Sequence, residues 1–296
     1  MPSSLVALAH QLAPRAGYNV TRLPSVRILR SETILEDVPV LYQPGAVFVL
    51  QGSKQGFLNA GIYRYDEDYY LAVSVPVPFR MASQASPERP LLAIYVDFDL
   101  RLAAEIVTEL EIRYQDVRAE PAKGLVSSLM EPAISDMLLR MLRVLSDPIE
   151  TTILGPGVLR ELHYRVLVGP QGGTLAAALK QRGAAGKIVQ SLARIRESYC
   201  TGIAVAELAS EIGMSVPSYH AHFRALTGTS PIQYVKAMRL HEARLMIARR
   251  KGPIAAIAAK VGYASAAQFS RDFRRHFGRS ASEEANWMRE HLGEVV

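Results

Sequence analysis

The sequence predicts an α+β protein. An N-terminal antiparallel β-barrel or jelly roll with appended helices is followed by an all-α domain of two helix-turn-helix motifs on a connector helix. Three observations predict it. Between about Val26 and Phe98, short β-rich runs alternate with turn residues at near-regular spacing. From Leu100 the apolar period becomes helical. Between Val205 and Gly278 one pattern occurs twice: Val205, Leu208, Ala209, Ile212 and Gly213 recur as Ile254, Ile257, Ala258, Val261 and Gly262. After the turn, Ser215, Tyr219, Phe223 and Gly228 recur as Ser265, Phe269, Phe273 and Gly278, one residue further on. A repeat that absorbs one inserted residue inside its turn is a repeat of three-dimensional units.

Composition bounds the function class. A chain of 296 residues suits two domains, and 49% hydrophobic with 21% charged residues excludes a disordered one. Residues 1–185 are nearly neutral, whereas 186–296 carry 16 basic against 9 acidic side chains. A basic C-terminal region behind a neutral one reads as a nucleic-acid footprint plus a second function. The one cysteine, Cys200, excludes internal disulfides and suits a reducing compartment; its place beside Tyr199 at a helix end predicts a buried structural thiol. Met1–Ala13 lacks a basic start and is too amphipathic for a signal sequence, and no run of 18 apolar residues occurs. These features predict a cytoplasmic chain with no membrane partner.

In chain order, Leu5, Leu8 and Leu12 predict a short helix ending before Pro14. Strands follow at 38–42, 46–51, 56–59, 62–65, 69–75, 79–82 and 91–98, separated by Pro44-Gly45, Asn59-Ala60-Gly61, Asp66-Glu67-Asp68 and Ser86-Pro87-Glu88. The apolar, aromatic interior of such a barrel suits a small-molecule effector, and Phe48, Leu50, Tyr63, Tyr70 and Val73 are candidate lining residues. Helices are predicted over 101–113, 135–145 and 159–168. Leu138, Met141, Leu142 and Leu145 form a stripe on the second that serves either the chain's own core or a dimer contact. His163, among Arg and Glu, reads as a surface or interface histidine. A Gly-rich linker is expected over 169–186, and a helix from Lys187 to Tyr199 opens the last domain.

Each repeated unit has the marks of a helix-turn-helix. Gly213 and Gly262 end the first helices, and Ser215 and Ser265 stand at N-cap positions, with Gln268 completing a capping box. Val216, Tyr219, Phe223 and Leu226 predict the buried stripe of one second helix, and Ala266, Phe269, Phe273 and Phe277 that of the other. Pro217, His220 and Ala221, with Ala267, Gln268, Ser270 and Arg271, then face outward as candidate base contacts. Ser215, Arg224, Ser265, Arg274 and Arg275 are candidate phosphate contacts. A small, basic outer face is what a helix needs to enter a major groove. Between the units, Ser230-Pro231 starts a helix whose Tyr234, Ala237, Leu240, Ala243 and Ile247 lie against both.

The motifs Gly213-Met214-Ser215, 223–231, Arg239-Leu240-His241-Glu242-Ala243-Arg244, Val261-Gly262-Tyr263 and 268–278 together resemble the DNA-binding domain of the AraC/XylS family of bacterial transcription regulators. Where that family usually has Pro after the second unit this chain has Ala281, and Ser280 with Glu283 can cap the last helix instead. Gly52, Tyr63, Tyr65, the strand 69–76, Ser86–Pro90 and the string 160–165 resemble the family's cupin-like N-terminal domain. The resemblance implies a cupin-like effector-binding and dimerisation domain over 1–168 and a DNA-binding domain over 187–296. It implies double-stranded operator or promoter DNA, an unidentified small-molecule effector, RNA polymerase and a second copy of the chain as partners, activation as the expected sign of regulation with repression left open, and no cofactor.

Two rival readings meet obstacles in the residues. A cupin-type enzyme with an accessory DNA-binding module needs converging His and Glu ligands, but no His occurs between His10 and His163. Asp97 and Asp99 suit a solvated strand end better than an acid/base pair, and neither an activated nucleophile nor a phosphate-cradling glycine loop is evident. A basic protein without sequence preference would bind all DNA alike.

Overall fold

A computed structural model describes residues 2–59, 61–113, 122–169, 172, 175–176 and 183–295. Ala60, in the expected 59–61 turn, lies outside them. After α1 (Pro2–Leu12) come nine strands: β1 (Gly17–Val20), β2 (Val26–Ser31), β3 (Leu35–Tyr42), β4 (Gly45–Gln51), β5 (Ser53–Leu58), β6 (Gly61–Asp66), β7 (Tyr69–Val73), β8 (Val77–Gln84) and β9 (Leu91–Asp97). A tenth, β10 (Leu125–Leu129), follows α2 (Leu100–Arg113). All pair antiparallel, in a six-stranded sheet ordered β1-β2-β9-β4-β7-β10 and a four-stranded sheet ordered β3-β8-β5-β6.

The six-stranded sheet is covered on both faces, so its central strands lose the alternation of a half-exposed strand. On one face Val47, Val49, Leu71, Val73 and Tyr95 meet Val40, Tyr65, Phe79 and Met81 of the other sheet. On the opposite face Ala46, Phe48, Leu50, Tyr70 and Ile94 pack beneath α1, α3 (Pro132–Ser146) and α4 (Pro148–Val168). This corrects the effector-lining set. Phe48, Leu50 and Tyr70 point toward the helices, with the Phe48 and Tyr70 rings 5.1 Å apart. Tyr63 lies half-buried on β6, and only Val73 faces the space between the sheets. An apolar run on both parities hides which face is inside.

The helices correct further expectations. Leu138, Met141, Leu142 and Leu145 are buried in the chain's own core, so they present no dimer surface. Helix α4 begins eleven residues before the expected 159, runs through Pro156 and is capped by Asp147, which accepts from the N–H groups of Ile149 and Glu150. Gly155 permits its close packing, since a Cβ there would lie 2.8 Å from Leu23. His163 is buried: its Nε2 accepts from the Asp99 N–H at 3.0 Å, leaving Nδ1 to donate to the Leu159 carbonyl at 2.7 Å. Of the expected linker, residues 170–171, 173–174 and 177–182 lie outside the described residues. Leu175 and Ala176 are buried in the helix-covered core, and Gly183–Gly186 form the first turn of α5 (Gly183–Ser198).

The C-terminal region is α6 (Val205–Glu211), α7 (Val216–Thr227), α8 (Pro231–Ala248), α9 (Ile254–Lys260), α10 (Ala266–Phe277) and α11 (Ala281–Val295). Cys200, in the turn after α5, is exposed rather than buried. The apolar layer between the sheets continues into Ile188, Leu192, Tyr219, Leu226 and Tyr234, so the barrel and the first helix-turn-helix share one core. Two hydrogen bonds mark that seam: Gly124 N–H to the Leu226 carbonyl at 2.8 Å, and Tyr234 Oη to the Pro76 carbonyl at 3.0 Å. Among the described residues no helix is long and apolar enough to cross a membrane.

Candidate nucleic-acid interface and effector cleft

The two helix-turn-helix units, α6–α7 and α9–α10, are built alike. Gly213 (φ +60°) and Gly262 (φ +90°) make the turns in a region that disfavours side chains. At Gly262 a Cβ would also come within 2.5 Å of the Cys200 carbonyl, so the turn sits directly on the end of α5. Ser215 Oγ accepts from the Ser218 N–H and Ser265 Oγ from the Gln268 N–H, capping α7 and α10. Left-handed Gly228 and Gly278 end them. Ser280 and Glu283 exchange both bonds of a capping box at the start of α11, compensating for the absent proline.

Tyr219, Phe223 and Leu226 bury one side of α7, and Phe269, Phe273 and Phe277 one side of α10. Val216 and Ala266, expected in those stripes, are exposed, because the first turn of each helix projects past the helix it packs on. Pro217, Ala221 and Arg224 are exposed on α7, and His220 is half-buried. Ala267, Gln268, Ser270, Arg271, Arg274 and Arg275 are exposed on α10, as are the capping Ser215 and Ser265. Arg275 lies 3.9 Å from Asp272, whose carboxylate also approaches Lys236 of α8.

Arg239 fixes the units relative to one another. From the middle of α8 its guanidinium donates to three main-chain carbonyls: Tyr199 at 2.6 Å, Thr201 at 2.6 Å and Gly262 at 3.0 Å. One side chain thereby ties the connector to the end of α5 and to the turn of the second unit. Sequence reasoning found the motif containing Arg239 but not this role, because its partners are backbone atoms of remote segments.

A second arginine joins the connector to the barrel. Arg244 is buried, donates from Nε to Glu284 Oε1 at 2.6 Å and from Nη1 to the Pro39 carbonyl at 3.0 Å, and packs against the Phe277 and Trp287 rings. Arg279 binds the other Glu284 oxygen at 2.8 Å. Beside it, His241 Nε2 and His276 Nε2 are 3.2 Å apart, and the Arg80 guanidinium donates to the His276 carbonyl at 3.1 Å. Burial, then neighbouring cations, pushes His276 down to about 4 and His241 well below the usual imidazole range.

Where Arg244 meets the barrel lies a cavity of about 210 Å³, lined by Tyr18, Arg27, Tyr42, Val73 and Tyr95 of the barrel and by His241, Glu242, Arg244 and Leu245 of the connector. Arg27 Nε and Arg244 Nη2 have no hydrogen-bond partner among the described residues. Tyr42 and Tyr95 hydroxyls are 3.1 Å apart, and buried Lys54 donates to Tyr95 Oη at 3.0 Å. Burial raises the Tyr18 and Tyr95 phenols, so both remain protonated. The cavity is thus rich in donors and cations, with Asp97, paired to Arg27, and Glu242 as its carboxylates. Of the candidate lining residues only Val73 reaches it.

Comparison with known proteins agrees with this geometry. Residues 22–174, over half of the chain, match the family model of the AraC-type transcriptional regulator N-terminus, and residues 208–286 match a helix-turn-helix domain model. The probable transcriptional regulator LumQ of Photobacterium leiognathi is 38% identical over 78 residues, which cover 26% of this chain and 32% of LumQ. The virulence regulon transcriptional activator VirF of Yersinia enterocolitica is 24% identical over 244 residues, covering 81% of this chain and 88% of VirF. Unsaturated-fatty-acid-bound ToxT from Vibrio cholerae superposes with a TM-score of 0.60 at 14% identity, covering 92% of this chain and 95% of ToxT. At that identity the likeness is one of fold.

Proposed function

Because the chain belongs to the family of AraC-type transcriptional regulators, we propose that it reads an operator with both recognition helices and is switched by an amphipathic carboxylate held between barrel and connector. The observation that carries the DNA reading is the pair of capped helices, α7 and α10, exposing small and basic faces from one connector locked by Arg239. Two such units on a rigid support suit successive major grooves, about 34 Å apart along one face of the duplex. Arg271 reads a guanine edge, and Arg274 and Arg275 hold phosphates. His220 and Ala221 discriminate less, so α10 carries more of the specificity.

Two observations support the effector class. The cavity is lined by Arg27 and Arg244, each with one buried guanidinium nitrogen that has no hydrogen-bond partner among the described residues, beside apolar Val40, Val47 and Val73. A protein of the same fold, ToxT, has been solved with an unsaturated fatty acid. A carboxylate touching both arginines binds in proportion to how the barrel and connector are spaced, so it shifts the DNA-competent population by that difference in affinity. Activation, through contact with RNA polymerase, and dimerisation complete the reading, with VirF's designation as an activator in support. Selection of bound duplexes from a random pool tests it: a consensus of two short blocks about one helical turn apart is expected, and recovery of unrelated sequences would remove sequence-specific regulation.

A further inference from the structure

Lys54 lies in the otherwise apolar layer between the two sheets. Its register on β5 sets it between Ser83 of β8 and Tyr65 of β6. Lys54 and Ser83 are each 1% exposed, and Tyr65 is fully enclosed. An ammonium placed there loses its hydration, at a large cost unless a counter-ion or several acceptors replace it. Among the described residues Lys54 has one hydrogen bond, to Tyr95 Oη at 3.0 Å. It makes no ion pair with Asp97 or Glu242, the carboxylates of the adjoining cavity. Tyr65 Oη and Ser83 Oγ, its neighbours in register, have no hydrogen-bond partner among the described residues. Folded interiors rarely leave three such groups under-satisfied together, and a missing ligand group is one reason for it.

The direction of the hydrogen bonds says where the charge is felt. An ammonium only donates, so Tyr95 Oη accepts from Lys54. Tyr95 is buried and Tyr42 half-buried, so Tyr95 gives its own proton to Tyr42 Oη, 3.1 Å away, and no deeply buried donor is wasted. The Tyr42 hydroxyl hydrogen is then free, on a residue that lines the cavity between barrel and connector. A hydrogen-bond chain that begins at a cation is polarised along its length, which makes that hydrogen a stronger donor than an isolated phenol's. Burial first, then nearby Tyr42 and Tyr18, raises the Tyr65 phenol, so Tyr65 also keeps a proton to donate. We propose that these groups form an inner anion subsite and that the effector is a compact dicarboxylate. One head sits on Arg27 and Arg244. The other accepts from Tyr42, with Lys54 behind it as counter-charge, and Val40, Val47 and Val73 take the methylenes between. The inference deepens the carboxylate reading of the cavity and rests on it.

Titration calorimetry of the purified full-length chain tests it, using the straight-chain dicarboxylates from adipic to sebacic acid, each against the monocarboxylate of the same length. In the parent, the best-fitting dicarboxylate is expected to bind about tenfold or more tighter than its monocarboxylate, as a charge-assisted hydrogen bond allows. In Lys54→Met that ratio is expected to shrink to about twofold or less, whatever the absolute affinities. A merely structural lysine would move both ligands together and leave the ratio unchanged. Tyr42→Phe, which keeps Lys54 and removes only a half-buried hydroxyl, is expected to lose the same advantage, and it decides the matter if Lys54→Met does not fold. Monocarboxylates that bind the parent as tightly as every dicarboxylate overturn the inner subsite alone. So does a dicarboxylate advantage that survives in Tyr42→Phe or in a folded Lys54→Met. Failure of both acid classes to bind the parent overturns the carboxylate reading of the cavity and this inference with it.

Discussion

Arg244, on the connector helix, donates from Nη1 to the main-chain carbonyl of Pro39, 3.0 Å away on a strand of the barrel. The same side chain binds Glu284 of the last helix and borders the cavity. A single buried guanidinium therefore joins the connector helix, the last helix and the barrel. Removing it leaves Glu284, fully buried, with Arg279 as its remaining ion-pair partner. Arg244→Ala is expected to cost about 3–5 kcal/mol in urea unfolding, the usual penalty for breaking a buried pair. Arg244→Met combined with Glu284→Leu is expected to recover much of that loss. A single variant within about 1 kcal/mol of the parent would show that the pair is not holding the seam.

Base reading is tested at Arg271, exposed on the outer face of α10. Arg271→Ala is expected to cost about 1–3 kcal/mol on the selected operator and to relax preference at one base pair. Equal losses on operator and random DNA, measured by fluorescence anisotropy at fixed salt, would make Arg271 a phosphate contact.

Acid is expected to loosen the contact between barrel and second unit. His276 is pushed down to about 4, and His241 is also lowered, with Arg80 and Arg244 as the cations facing them. Unfolded imidazoles titrate near 6.5, so below that pH the unfolded chain takes up protons that the folded chain refuses. The stability these histidines contribute is present above about pH 6.5 and is lost as pH falls toward about 4, at up to about 1.4 kcal/mol per unit for each. Urea unfolding at pH 7.5 and 5.5 should show a drop for the parent and a smaller one for His276→Gln. Equal drops would assign the acid sensitivity elsewhere, with buried His163, also lowered by burial, as the next group to examine.

The cavity has a built-in reporter. Trp287, the chain's one tryptophan, lies against the Arg244 guanidinium at 5.3 Å. Adding an unsaturated fatty acid is expected to change its emission saturably, and Arg27→Ala is expected to weaken that binding about tenfold or more, as loss of a charge-assisted bond does. Unchanged affinity in Arg27→Ala would move the carboxylate out of this cleft.

How much of this was legible in the sequence follows from where each signal is stored. The second helix-turn-helix could be read from the sequence apart from the exposed Ala266, because turn glycines, capping serines and aromatic stripes are local features that recur. The strands at 46–51 and 91–98 were also legible, yet their faces were not. With helices on one side and a sheet on the other, Phe48 and Val47 look equally buried in the sequence. The first half of α4 was hidden by Gly155-Pro156-Gly157, which reads as a turn. In the structure Gly155 instead lets the helix lie against Leu23. The cavity between barrel and connector was not legible at all, since Arg27 and Arg244 converge from remote positions and the partners of Arg244 and Arg239 include main-chain carbonyls.

The rigid placement of α7 and α10 on one connector is tested most directly by spacing. Affinity for the selected operator should be compared with affinity for the same operator carrying five extra base pairs between its two blocks. Five base pairs are about half a helical turn and put the second block on the opposite face of the duplex. Binding of the spaced operator is expected to fall toward that of a single block, and ten extra base pairs should not leave the two units able to span both blocks either. Undiminished affinity for the five-base-pair insertion would contradict a connector that fixes both recognition helices on one face.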